Sequence, residues 1–340
     1  MGRCAFEKLE LFYFYLSSPI TAIRLPIIYL QKPIEQPKPE AGVLDLRGWT
    51  LPHDRAISLD GEWAFYPWQL LTPDGEGTFP DAASAPAFIH TPGAWDDAFP
   101  EGPVRDHFRY GTYRLRILLN DEEGGAFKLR ATEIRNASAV YVDGRLVAGA
   151  GQPSEDPDKH RARLAPVEAL IHVHDGVIDI VIPVSSNAGE GGITMSTRFG
   201  TDEAVDRYAL LSVGQQVLLC VVLLVHALYA LMLYWLGPAN RGLVFFSLLI
   251  VCAIGCVLTA DDRLLFVWFP MPYETTVKIA LLSYIGVSAF IPSFLKHMFP
   301  EYGSAKAIRL FLYLCGAYGI YVLAAPSWLT LPTEIGRAHV

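Results

Sequence analysis

Residues 193–236 read ITMSTRFGTDEAVDRYALLSVGQQVLLCVVLLVHALYALMLYWL, and this stretch decides the fold class. Its beginning, 193–199, is predicted to be the last strand of a β domain. Thr201 then offers an N-cap side chain, and Asp202 places negative charge in the first helical turn, where the helix dipole favours it. Because 204–207 contains neither Gly nor Pro, one helix is predicted over 202–236. The stretch therefore joins a β domain directly to an apolar helix.

The charges divide the chain at the same place. Hydrophobic residues make up 52% of the sequence and charged residues 18%, against about 25% charged in soluble proteins. Residues 1–207 have a net charge of −10, whereas 208–340 have a net charge of +2 and few charges of either sign. This distribution excludes a purely cytosolic enzyme, a disordered chain and a nucleic-acid binder, which would need a basic face.

The second half is predicted to cross a membrane four times, because its uncharged runs match the roughly 17–25 residues of a spanning helix. The predicted spans are 208–236, 242–260, 277–295 and 309–326. The connections 237–242 and 296–309 hold four basic residues, and 261–278 holds two. Since cytoplasmic loops are enriched in Lys and Arg, residues 43–207 are expected on the extracytoplasmic side of a multi-pass cell-membrane protein.

Both ends of the chain are interpreted separately from these domains. Residues 1–42 resemble a signal or anchor segment followed by a Pro-rich linker, with an uncharged run of 13 residues at 11–23. A poor signal peptide, a signal anchor and a misassigned start all stay open. Residues 334–340, back-translated, spell a common short-read sequencing adapter, so we expect read-through after a native frame that stops near Thr333.

Residues 43–200 alternate between apolar and polar side chains with a period of two. Tyr113, Leu115 and Ile117 alternate with polar neighbours, and Asp143-Gly144 between two such runs is a strong hairpin signal. Residues 177–182 are predicted to be buried on both faces. Many short strands with regular turns favour a β-sandwich, which must fold without disulfides because the segment has no cysteine.

Four ordered motifs add a resemblance. They are Leu59-Asp60-Gly61-Glu62-Trp63-Ala64-Phe65, Pro92-Gly93-Ala94-Trp95, Gly111-Thr112-Tyr113-Arg114-Leu115 and Ala139-Val140-Tyr141-Val142-Asp143-Gly144. They resemble the galactose-binding-like jelly roll at the N-terminus of family-two glycoside hydrolases. Together with Arg198-Phe199-Gly200, His226-Ala227-Leu228-Tyr229 and the membrane region, the set over about 43–330 resembles bacterial seven-transmembrane receptors with diverse intracellular signalling modules.

The resemblance implies an all-β jelly-roll or β-sandwich ectodomain followed by an α-helical transmembrane domain, here truncated after the fourth of seven spans. It also implies a cytoplasmic output module, such as a histidine kinase, a diguanylate cyclase or a phosphatase. The chain itself has no P-loop, G-x-S-x-G, H-E-x-x-H or paired C-x-x-C motif, so we expect no enzyme activity, cofactor or metal.

Ligand binding is the chemistry that the residue types favour. Sugar sites combine an aromatic platform with a few hydrogen-bonding side chains at the rim of a sandwich. The candidates are Trp95, Asp96, Arg109, Tyr110, Asn136 and Asn187. Trp95 is equally well interpreted as a core filler, and the polar loop 149–163 as a lid or a solvated loop. His226 in the first span, where polar groups are often functional, is better interpreted as a helix-packing hydrogen bond.

The sequence thus predicts the N-terminal fragment of a bacterial membrane receptor that senses an extracellular small molecule or carbohydrate. Thr201, Asp202 and Arg207 are the candidate residues for coupling the sandwich to the first span. A membrane-tethered carbohydrate-binding protein without a signalling role is the alternative, and a glycosidase fragment is a third reading that the four spans oppose. The partners expected are the ligand and the lipid bilayer, with homodimerisation left open and no nucleic acid.

Overall fold

The computed structural model describes residues 35–74, 79, 85–93, 95, 99, 108–120, 125–173, 176–187, 191–237, 240–299 and 304–325. The predictions for the N-terminal segment before residue 35, for Asp96 and for 334–340 lie outside these residues.

The first half of the described chain is a β-sandwich. Its strands are β1 (Val43–Asp45), β2 (Ile57–Ser58), β3 (Gly61–Pro67), β4 (Ala87–Thr91), β5 (Arg109–Leu118), β6 (Gly125–Ala131), β7 (Ile134–Arg135), β8 (Ala137–Val142), β9 (Arg145–Ala150), β10 (Val167–Val173), β11 (Val177–Ser186), β12 (Gly192–Ile193) and β13 (Thr197–Thr201). The larger sheet has the order β4-β3-β5-β11-β8-β9, with β1 added in parallel to β5. The smaller sheet has the order β10-β6-β13-β2, and β7 pairs with β12.

Alternating side chains build the core between the two sheets, as the sequence predicts. Tyr113, Leu115 and Ile117 of β5 are fully buried and pack in one cluster with Leu129 of β6. The prediction that 177–182 is buried on both faces holds for Val181, which is covered by Tyr66 and Leu71, but not for Val177, which is 41% exposed. The difference arises because the covering residues reach only the middle of β11.

The hairpin between β8 and β9 has the predicted turn. Asp143 and Gly144 have φ values of 48° and 76°, the left-handed pair that a two-residue turn of this type requires. The hairpin places β8 against β11 in the larger sheet.

The predicted last strand, 193–199, is wrong as a single element. Gly192–Ile193 pairs with β7, whereas Thr197–Thr201 pairs with β6 and β2. The chain leaves one pairing for the other between these pieces, where Ser196 donates a hydrogen bond to Asp60 over 2.8 Å. Only β13 leads into the helical region.

The second half is helical. The helices are α1 (Asp202–Leu236), α2 (Arg241–Thr259), α3 (Leu264–Trp268), α4 (Tyr273–Met298) and α5 (Ala305–Ala324). Within the described ranges, α1, α2, α4 and α5 are long and apolar enough to cross a membrane. The helices α4 and α5 begin before the predicted third and fourth spans, 277–295 and 309–326, because the charged residues Glu274 and Lys306 extend the helices beyond the uncharged runs.

Close contacts between small residues position α2 against α4. A Cβ atom added to Gly255 would lie 2.5 Å from the Ser283 hydroxyl, and one added to Gly286 would lie 2.4 Å from the Cys252 sulfur. Small residues that let helix backbones approach are typical of packing between membrane helices. Cys252 is therefore a packing residue.

The sandwich core uses residues of the sandwich alone, from Leu44 to Phe199. We therefore expect segment 35–207, expressed by itself, to be a soluble all-β protein that folds equally well in reducing and oxidising buffer. Circular dichroism with and without dithiothreitol measures this. The only helix expected in this segment is the short stretch 202–207. More helix than that, or a need for oxidative refolding, would contradict the prediction.

Candidate functional site

One end of the sandwich gathers the candidate ligand residues. Arg109 and Tyr110 at the start of β5 pair with Ser186 and Ser185 at the end of β11. Ser185 also pairs with Ala137 at the start of β8. Four of the candidates therefore lie at the same rim of the larger sheet, although their side chains differ in exposure: Arg109, Tyr110, Asn136 and Asn187.

Trp95 is not available as a stacking platform. Its side chain is fully buried, with its ring 5.9 Å from Phe65 and 5.2 Å from Phe99. Gly191 closes the slot from the other side, since a Cβ atom there would lie 2.3 Å from the indole. Its interpretation as a ligand residue is wrong, and Trp95 is a core residue.

Asn136 is also a structural residue. It is 2% exposed and has a φ of 70°, a conformation that Asn adopts more readily than most residues. Its side-chain amide donates to the Ser186 hydroxyl over 2.5 Å, and its backbone carbonyl accepts from Arg163 over 2.8 Å. The buried amide fixes the start of β8 and the end of the 149–163 loop, so it cannot contact a ligand in this conformation.

Trp68, which the sequence analysis did not single out, takes the position expected of the aromatic platform. Its ring lies 4.8 Å from Phe99 and 5.6 Å from Tyr110, and the Arg109 guanidinium lies 5.4 Å from the Phe99 ring. We call Trp68, Phe99, Arg109 and Tyr110 the rim cluster. Burial, reinforced by the negative charge of Glu155, raises the pKa of the Tyr110 hydroxyl, which therefore remains a neutral hydrogen-bonding group.

Two features of Trp68 are unusual for a bulky residue. Its φ of 57° lies in the left-handed region, where strain for such a residue marks functional sites more often than ordinary loops. Its indole N–H is buried without a hydrogen-bond partner in the structure as described. Trp68 directly follows the last residue of β3, so the end of a strand was the signal in the sequence that could have found it.

The polar loop 149–163 is folded against the rim. Gln152 and Arg161 form a backbone bridge across it, and His160 inside the loop is 6% exposed. Nδ1 of His160 lies 2.8 Å from the Ser185 hydroxyl, and its ring packs edge-on against Phe108 at 5.7 Å. Burial, with a smaller contribution from Arg161, lowers the pKa of His160 to about 4, so the imidazole is neutral at pH 7. His160 thus anchors the loop to the end of β11, whereas most other residues of the loop are exposed.

The rim cluster can bind a ligand by aromatic stacking, by neutral hydrogen bonds and through one guanidinium group, that of Arg109. Among the residues that the structure describes, no group of three His, Cys, Asp or Glu side chains could hold a metal ion. Asn187 is exposed beside the rim cluster and adds an amide. Asp96 lies outside the described residues.

The junction between sandwich and helices begins at Thr201. This residue ends β13 and caps α1: its hydroxyl accepts from the Ala204 amide over 3.3 Å and donates to the His53 carbonyl over 3.1 Å. No linker separates strand from helix, and α1 runs without interruption from Asp202 to Leu236.

The first turns of α1 do not stand free. Lys128 on the outer face of β6 contacts Asp202 over 2.7 Å and Asp206 over 2.5 Å. Burial opposes the positive charge of Lys128, but its hydrogen bonds to the two aspartates outweigh this and raise its pKa. The Arg198 guanidinium lies 5.0 Å from the Tyr208 ring, while Arg207 is exposed. The first turns of α1 therefore pack against the smaller sheet.

In class, the described chain is a β-sandwich followed directly by four long apolar helices. No known family profile and no curated protein matches it. Similar solved structures include a GH2 β-galacturonidase from Eisenbergiella tayi (14% identity, TM-score 0.30, covering 46% of this chain and 26% of that one). A Ruminococcus gnavus β-glucuronidase has 17% identity and a TM-score of 0.32 over 49% of this chain and 30% of its own.

A β-glucuronidase from an uncultured Clostridium species has 15% identity and a TM-score of 0.33 over 44% of this chain and 29% of that chain. The chain thus spans less than a third of the length of these enzymes. At such scores the likenesses carry no argument about activity, and the fold assignment rests on the strand pairing described above.

Proposed function

We propose that this chain is the sensing part of a bacterial membrane receptor. Its sandwich binds a ligand outside the cell, and its helices pass the event towards a cytoplasmic module beyond the present sequence. The observation that supports this most directly is the junction at Thr201, where the last strand of the sandwich becomes the capped first turn of α1. Movement of β13 must displace α1, because no flexible residues lie between them.

The positions of the charges support the expected orientation. The sandwich contacts the connection between α2 and α3, since Arg130 of β6 lies 2.6 Å from Asp262. The basic connections at Arg241 and at 296–309 belong to the other ends of the same helices. The positive-inside rule then favours a cytoplasmic location for these basic ends and an extracytoplasmic sandwich.

The rim cluster favours a neutral saccharide as the ligand. Trp68 and Tyr110 offer aromatic surface, and Arg109 and Asn187 offer donors and an acceptor, the combination that orients a sugar. Residues 1–207 have a net charge of −10, which disfavours anionic ligands at long range. The 149–163 loop contacts the neighbouring end of β11, where His160 and Ser185 are both buried.

We therefore expect the full chain in lipid nanodiscs to bind neutral oligosaccharides on a glycan panel, and Trp68→Ala to weaken this binding about ten- to a hundredfold, the loss typical of an aromatic hot spot. Phe88→Ala is the matched control, because Phe88 is a half-exposed aromatic on the edge strand β4. Binding restricted to sulfated or phosphorylated sugars, or unaffected by Trp68→Ala, would count against the proposed site.

The alternative function, a tethered carbohydrate-binding protein, needs no mechanical link between ligand and helix. Inserting Gly-Gly between Asp206 and Arg207 separates the two readings, because two glycines destabilise an exposed helical turn by about 2 kcal/mol. A sensor should keep its affinity for the selected oligosaccharide, whereas the ligand-induced change in hydrogen exchange of α1 beyond Ser212 should become smaller. If the parent chain shows no such change on binding, the tethered protein is the better description.

A further inference from the structure

The turn that ends α2 has an unusual conformation. Asp261 and Arg263 both have left-handed backbones, with φ values of 47° and 52°. Arg263 donates a backbone hydrogen bond to Ala260 over 2.9 Å, which closes the turn around Asp262. Strained non-glycine residues of this kind persist only where their surroundings hold them in place, and they cluster at functional sites.

Asp262 is held by two other elements. Its side chain is only 2% exposed, and one oxygen lies 2.6 Å from Nη2 of Arg130 on β6. The other oxygen accepts from the Ser212 hydroxyl on α1 over 2.5 Å. Arg130, whose side chain is 7% exposed, also contacts Glu168 of β10 through its second nitrogen. One carboxylate therefore joins the smaller sheet, α1 and the end of α2.

Neighbouring contacts fix the same turn. Arg263 forms an ion pair with Glu133 over 2.7 Å, just beyond the end of β6. Gln216 of α1 donates to the carbonyls of Ala260, over 3.1 Å, and of Val257. The turn thus contacts the sandwich on one side and α1 on the other.

We propose that the Arg130–Asp262 ion pair is a second joint between the sandwich and the apolar helices, through which displacement of β6 moves α1 and the end of α2 together. The proposal rests on the proposed sensing function. A single attachment through Thr201 lets the sandwich turn about the axis of α1, whereas two attachments on neighbouring helices prevent that rotation. A buried ion pair suits this role, because separating it leaves unpaired charges away from water.

The pair has an asymmetry that an experiment can use. Without Arg130, the carboxylate of Asp262 stays buried with Ser212 as its remaining partner, whereas without the charge on Asp262, Arg130 still has Glu168. Leu164 packs against the Val277 and Val322 cluster of α4 and α5, so the sandwich remains close to the helices in either variant. The expected effect is a loosened turn, not detachment.

Hydrogen exchange of the full chain in lipid nanodiscs, without ligand, tests the joint. We expect Arg130→Met to raise exchange of the amides in 260–266 at least about tenfold, because an unpaired buried carboxylate favours the open turn. Asp262→Asn alone should raise it less. The double variant Arg130→Met with Asp262→Asn should exchange more slowly than Arg130→Met, since a neutral amide replaces the stranded charge.

Arg116→Met is the matched control, because Arg116 is an exposed arginine on β5 of the other sheet. Amides of β5 report whether the sandwich is intact. The proposal is overturned if Arg130→Met leaves exchange in 260–266 unchanged, or if the double variant exchanges as fast as Arg130→Met. Should Arg130→Met unfold the sandwich, Asp262→Asn decides: faster exchange in 202–216 supports the joint, and unchanged exchange overturns it. Since no ligand is used, absence of saccharide binding would leave this result standing.

Discussion

Gly192→Ala is expected to destabilise the sandwich severely. Gly192 has a φ of 100°, which residues with a Cβ atom rarely adopt, and a Cβ atom there would lie 2.2 Å from the Tyr113 hydroxyl oxygen. Tyr113 is fully buried in the core and cannot move aside without disturbing Trp63 and Phe65. Backbone strain and overpacking together predict a loss of at least about 4 kcal/mol in the free energy of unfolding.

Gly125→Ala is the matched control for this prediction. Gly125 begins β6, is exposed, and would place its new methyl group in open space. We expect its free energy of unfolding to change by less than about 1 kcal/mol, because only the entropy of the unfolded chain is altered. Urea unfolding of segment 35–207 measures both variants. A Gly192→Ala protein as stable as the Gly125→Ala protein would show that the core is not packed as described.

The neighbouring glycine, Gly191, explains why Trp95 could not be assigned from the sequence. Its indole is enclosed by Gly191, which lies almost a hundred positions further along the chain, and by Phe65 and Phe99. No local pattern around Trp95 distinguishes a buried indole from one at a rim. The slot exists only after β7 and β12 have paired, so it is a property of the tertiary structure.

Local sequence patterns, in contrast, were sufficient to predict features that depend only on interactions between residues close in sequence. The Asp143-Gly144 turn, the Thr201 cap and the alternation in β5 each depend on neighbouring residues, and the structure has all three. The helix ends were less accurate, because hydropathy marks the apolar run and not the charged turns that extend it. The turn, the cap and the alternation could be predicted because they follow from side-chain direction and backbone preference alone.

The Arg130–Asp262 pair, in contrast, could not be predicted from local sequence. Its two members are 132 positions apart, and each is ordinary in its own segment: an arginine on the polar face of a strand and an aspartate in a loop. Nothing in the local sequence around Asp262 marks it as a buried residue. Its burial depends on how the smaller sheet packs on α1, which no periodicity encodes.

His160 gives the second large effect, a loss of sandwich stability in acid. The pKa of the buried imidazole is about 4, against 6.5 for an exposed histidine. Between these values the unfolded chain binds a proton that the folded chain does not, so stability falls as the pH drops from about 6.5 to about 4 and this contribution is constant below that range. The full difference corresponds to at most about 3 kcal/mol, and solvent screening of the partly buried ring reduces it.

The test compares urea unfolding of segment 35–207 and of its His160→Asn variant from pH 7.5 to pH 4. Asparagine offers a polar atom near the position of Nδ1, so part of the contact with Ser185 can persist, although the ring contact with Phe108 is lost. We expect the variant to be less stable at pH 7.5 and to lose less stability on acidification, because carboxylate titrations are common to both proteins and cancel in the difference. His172→Asn, at an exposed position on β10, should retain the acid dependence of the parent. Parallel pH profiles for His160→Asn and the parent would mean that the 149–163 loop opens and hydrates His160 in solution.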